Sequence, residues 1–137
     1  MINVKKLFEP INIGLILLLH LYILSGFGKI KNFEETSNGL KEKFEEKFPV
    51  SFNIYFYKFT LCLVILLLTV GSSLLFYLHY SKQNKNLIKI LCIEFILFTI
   101  LATYLYHIPA VGHNFYAVLK NICIIGGFLI IYGINDK

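Results

Sequence analysis

The sequence predicts an all-α integral membrane fold: a bundle of four transmembrane helices with a short amphipathic helix in the first loop. Three observations predict it. Hydrophobic residues make up 57% of the 137-residue chain and charged residues only 15%, with a mean hydropathy of +0.70. Soluble domains carry about 45–50% apolar and about 25% charged residues. The apolar residues fall into four runs, and a helix of about 20 residues crosses the hydrocarbon core. The backbone of such runs has no water to bond, so each run must satisfy its own peptide groups as a helix.

The length allows a single domain over residues 1–137. The composition excludes a soluble enzyme, a disordered tail and a nucleic-acid-binding module. The formal net charge of +5 does not reopen the last class. All 13 cations are Lys, whereas bidentate phosphate and base contacts favour Arg. The expected partners are the lipid bilayer and another membrane protein, with no nucleic acid.

The first span covers 11–28. Lys5 and Lys6 precede it as in a signal peptide, but the apolar stretch exceeds the usual core of about 7–15 residues and no clear cleavage site follows. A retained span is expected. The polar loop 29–56 comes next. Its stretch from Lys29 to Asn53 holds five Lys and five Glu. Phe33, Leu40, Phe44 and Phe48 recur at helical spacing, which predicts the amphipathic helix, ending before Pro49. It would lie over the mouth of the bundle or present a docking surface.

The second span covers 57–80 and the third 87–107, joined by a short basic loop. Pro109, Gly112 and Asn114 mark the turn to the fourth, 117–134. With four spans both termini share one side. The basic 82–89 loop, with Lys5, Lys6 and Lys137, places that side in the cytoplasm by the positive-inside rule. No compartment signal is visible.

Within the spans, His20 and Glu94 are the first polar pair to explain, because ionisable groups in hydrocarbon are costly. Spans one and three enter from the same side, and the two residues sit at similar depths. They could form a structural clasp or a proton-relay or quinone-site pair, or could fail to meet. Cys62 and Cys123 sit at matching depths on spans two and four, as a thiol pair or as two lone apolar cysteines. His79, His107 and His113 give no matched haem pair and no metal set. No cofactor is expected from these residues; a quinone is the one the polar pair would suit. Ser25, Gly26, Gly28, Gly71, Gly126 and Gly127 are candidates for close helix packing.

The order of these features carries a resemblance. Span one ends Ser25-Gly26-Phe27-Gly28-Lys29, and span four reads Asn121-Ile122-Cys123-Ile124-Ile125-Gly126-Gly127-Phe128-Leu129. This resembles the DoxX-like family of small four-helix membrane proteins, a broad group that includes the acetylcholine receptor chaperone and Surfeit-locus cargo receptor relatives. The resemblance implies a four-helix fold and a non-catalytic, accessory or chaperone-like role. It also allows a membrane subunit of a quinone-linked oxidoreductase. One departure stands out: many relatives carry a Glu in the second helix before the glycine, and Phe59 to Ser81 has no acid. No nucleophile–base pair, phosphate loop or metal motif is visible, which argues against an independent enzyme.

Overall fold

Helix α1, Pro10–Lys31, opens with proline in its first turn, where a missing N–H costs nothing, and ends with Lys29 and Lys31 against the negative helix terminus. A computed structural model describes residues 8–136; the Lys5, Lys6 and Lys137 used above for orientation lie outside them. Asn32 breaks the chain before α2, Phe33–Lys47, the amphipathic helix. Asn53 then caps α3, Ile54–Ser81, by accepting a hydrogen bond from the Tyr55 N–H at 3.1 Å. Inside α3, Leu67–Gly71 forms a π-turn, a wider coil that sequence periodicity did not reveal.

Left-handed Lys82 ends α3. The Lys82 N–H donates to the His79 carbonyl and the Gln83 N–H to the Leu78 carbonyl, a Schellman arrangement. Asn84 caps α4, Lys85–His107, by accepting from the Leu87 N–H. Gly112, at φ +56°, makes the left-handed turn into α5, His113–Asp136. The helices run a few residues beyond the expected spans, because caps and terminal lysines, not hydropathy, set their ends.

The four long helices form a ring in the order α1, α3, α4, α5, with α4 and α5 packed most extensively. Leu15, Leu19 and Tyr22 of α1, Leu68, Leu75 and Leu78 of α3, Ile88, Leu91, Cys92 and Phe95 of α4, and Phe128 and Ile131 of α5 make the core. The burial pattern is inverted relative to a soluble protein. Leu17, Leu97 and Ile130 are 65%, 61% and 60% exposed, while Asn12 and Thr99 are 2% and 3% exposed. Water would reject that surface; hydrocarbon accepts it. Every long helix is apolar and long enough to span a bilayer. The chain is an integral, multi-pass α-helical membrane protein.

Helix α2 closes one end of the bundle. Phe44 packs on Phe48, Phe52 and Tyr57 with ring centroids 4.7, 6.1 and 5.9 Å away, and Phe48 reaches Tyr104 of α4 at 5.9 Å. Glu34 pairs with Lys58 at 2.7 Å, and the Lys47 ammonium donates to the Ile108 carbonyl at 2.6 Å. On its outer side the Lys43 ammonium bonds Glu46 at 2.8 Å, which holds the Glu46 carboxyl below its ordinary range and the Lys43 ammonium above its own. At the opposite end Lys89 pairs with Asp136 at 2.9 Å.

This arrangement places α2 and the 82–84 turn on opposite sides of the membrane. Single cysteines at Glu42 and Gln83, both exposed positions, should react with an impermeant maleimide from opposite faces. Labelling of both from one face would mean that one of the four spans does not cross.

Candidate functional site on the lipid-facing surface

The buried polar groups hold the bundle together. Tyr22 of α1 and Thr99 of α4 share a hydrogen bond of 2.5 Å across the core, and the Thr99 hydroxyl also donates to the Phe95 carbonyl. The Asn121 side-chain amide donates to the Thr103 hydroxyl at 2.9 Å, joining α5 to α4. The Asn135 amide lies 3.2 Å from His79 Nδ1, joining α5 to α3, and donates to the Ile131 carbonyl. Sequence reasoning passed over these contacts. The signal that could have found them is an uncharged amide in an apolar run, which must find a partner inside the bundle.

The ionisable residues are placed differently. His20 and Glu94 both face outward, and among the described residues neither a hydrogen bond nor an ion pair joins them. The expected clasp is therefore corrected. Depth alone suggested the pair, but azimuth decides it. Leu19 and Phe95 hold the core positions, and a neighbouring residue points about 100° away on a helix. Each ionisable group is turned out by one step.

His20 instead borders a groove of about 260 Å³ between α1 and α3, lined by Ile16, Leu19, Ile23, Ser72, Ser73 and Phe76. The groove lies beside the π-turn. Ser73 donates its hydroxyl to the Thr69 carbonyl at 3.0 Å, and Ser72 Oγ is buried with no hydrogen-bond partner among the described residues. Glu94 stands on the α4 outer face amid exposed Ile90, Ile93, Leu97 and Leu101.

Cys62 and Cys123 are free and exposed on α3 and α5, which occupy diagonal corners of the ring, so the two thiols do not pair. Matching depth again failed to imply contact. The remaining cysteine, Cys92, is fully buried in the core.

The small residues divide. A Cβ at Gly26 would crowd Thr69 and Leu68; one at Gly71 would press Leu67; one at Gly127 would touch Leu18. Gly28 and Gly126 face open space, and Ser25 is exposed, its hydroxyl accepting from Lys29 at 2.8 Å. Of the six candidates, Gly26, Gly71 and Gly127 thus lie against neighbouring side chains, whereas Ser25, Gly28 and Gly126 do not stand at a close helix contact. A second groove, of about 280 Å³ between α4 and α5, is lined by Asn121 and Thr103, whose polar groups bond each other. Among the described residues no three His, Cys, Asp or Glu side chains converge.

These features define a lipid-embedded four-helix bundle whose only outward His, Lys, Asp or Glu side chains deep in the long helices, among the described residues, are His20 and Glu94 at mid-depth and Lys120 nearer the α2 end. Comparison with protein-family models, curated proteins and solved structures finds no match for the chain.

The placement of Glu94 has a direct consequence for stability. On insertion scales Asp, Lys or Arg at a helix centre costs about 2.5–3.5 kcal/mol. Glu94 carries a cost of that kind and makes no bond in return among the described residues. Glu94→Leu should therefore melt at the same temperature as the parent in detergent, or higher. A melting temperature lowered by several degrees would mean that Glu94 supports the bundle after all.

Proposed function

We propose that this protein is a non-catalytic accessory or chaperone-like factor that engages another membrane protein within the bilayer. The outward-facing Glu94 supports this reading. Intramembrane carboxyls almost always face a bundle interior or a cavity, and this one faces neither. A helix from outside the bundle that covers Glu94 and offers it a hydrogen bond removes the cost of keeping it there. The DoxX-like assignment belongs to the same proposal and rests on Ser25-Gly26-Phe27-Gly28-Lys29 and the Asn121 to Leu129 segment.

The test is purification of the full chain from its native membrane in mild detergent, with mass spectrometry of what accompanies it. A membrane protein should accompany the parent and be depleted with Glu94→Leu. Identical companions for both, or none for either, would defeat the reading.

A second reading, a membrane subunit of a quinone-linked oxidoreductase, draws support from the groove at His20. Its walls are apolar, and an imidazole lies at its edge near mid-depth. Extraction of a quinone from the parent, and its loss with His20→Leu, would favour this reading over the first.

A further inference from the structure

His20 and Glu94 are complementary groups that the fold sets at one depth and turns apart. His20 lies ten residues beyond Pro10, and Glu94 nine beyond Lys85. At 1.5 Å per residue those depths are about 15 and 14 Å, measured from the same membrane face. Helices α1 and α4 cross in the same direction and stand at diagonal corners of the ring. Two copies of one orientation therefore present α1 and α4 to each other as parallel helices, with the imidazole and the carboxyl in register.

The surfaces fit in kind as well as in depth. Ile90, Glu94, Leu97 and Leu101 follow helical spacing and form one outward ridge on α4. On the other side is the α1–α3 groove, floored by small Ser72 and Ser73 and bordered by Ile16, His20 and Ile23. Small residues let a neighbouring helix approach closely in a bilayer, and polar side chains there bond across the interface. The Ser72 hydroxyl, buried beneath the groove and without a partner among the described residues, adds a polar group to its floor.

We propose that the α1–α3 groove of one copy receives the α4 outer ridge of a second copy, with Glu94 of that copy bonded to His20. This rests on the reading of the outward polar groups as contact points for helices outside the bundle, and names the partner. The contact is heterologous: a groove meets a ridge, not its own counterpart. Such contacts extend beyond two copies, as rings or chains. In an open chain one groove and one Glu94 stay free at the ends for a different membrane protein.

The test uses two differently tagged full-length chains expressed together, with Cys62→Ser and Cys123→Ser in both and the buried Cys92 kept. One carries Ile23→Cys and the other Leu97→Cys, positions 13 and 12 residues into their helices. Oxidation in the native membrane should give a disulfide between the two tags, well above that between two Ile23→Cys or two Leu97→Cys chains. Adding Glu94→Leu to the Leu97→Cys chain should lower the yield about fivefold, within the range of strong interhelical bonds in bilayers. His20→Glu in one chain with Glu94→His in the other should restore it.

No mixed disulfide, or equal yields for like and unlike pairs, overturns the proposal; so does a bound lipid found in the groove in its place. If the mixed disulfide is missing while Glu94→Leu still releases a companion protein, the second copy is the wrong partner and the accessory reading stands. If the disulfide forms and no other protein accompanies the chain, self-association stands and the accessory reading falls.

Discussion

Gly26→Leu should cripple the bundle, while Gly126→Leu should leave it intact. A Cβ at Gly26 would sit 2.6 Å from Thr69 Cγ2, 3.2 Å from Leu68 Cβ and 3.6 Å from the Thr69 backbone nitrogen. Thr69 is not free to swing aside. It is β-branched, and its hydroxyl donates to the Ile65 carbonyl at 2.7 Å inside the π-turn. Even alanine would force α1 away from α3, and leucine would add three more carbons. Overpacking typically costs about 1–3 kcal/mol, and a clash with a held β-branched side chain and a Cβ belongs at the upper end. A Cβ at Gly126 meets nothing within 4 Å, so leucine there should stay within about 0.5 kcal/mol of the parent. Melting temperature and monodispersity in detergent report both. Equal damage from the two substitutions, or a Gly26→Leu protein that melts like the parent, would show that α1 and α3 do not meet at this point.

Phe95→Ala should be the most damaging truncation in the core. The Phe95 ring is fully buried, stacks on Phe128 at 4.9 Å and 4°, and meets Tyr22 edge-on at 5.0 Å. Tyr22 in turn meets Phe128 at 5.6 Å. Three rings from α1, α4 and α5 thus close one cluster, and Gly71 of α3 leaves room for the Phe95 ring tip.

In a soluble core Phe→Ala costs about 3–5 kcal/mol, part transfer from water and part cavity. The transfer part largely vanishes here, because lipid is as apolar as the core. The cavity and the lost ring contacts remain, so about 2 kcal/mol is expected. Ile130→Ala, on the exposed face of α5, should cost almost nothing, since lipid fills the gap. Thermal unfolding in one detergent compares the two. Similar shifts for both would mean that the aromatic cluster is not the centre of the bundle.

Much of the fold is legible in the sequence. The four spans, the α2 helix and the turns between them follow from run length, Pro109, Gly112 and the polar stretch 29–56. The π-turn at Leu67–Gly71 is not legible, because Thr-Val-Gly-Ser-Ser reads equally well as an ordinary small-residue patch. The candidate site was half legible. His20 and Glu94 stand out as ionisable residues in apolar runs, and their similar depths follow from counting. Their partners do not.

The sequence by itself determined that this chain spans a membrane four times, because backbone hydrogen bonding in lipid is a local requirement set by the length of each apolar run. Only the tertiary structure decided which way each side chain points. In water a helix declares its buried face by the contrast between polar and apolar stripes. Between lipid and a lipid-like core that contrast is lost, so Leu19 and Leu17 look alike in the sequence although one is buried and the other 65% exposed. For the same reason Gly26 and Gly126 read alike until α3 is seen against one and open space beside the other. Whether His20 meets Glu94 of its own chain is likewise a matter of azimuth, which helix packing sets and composition does not.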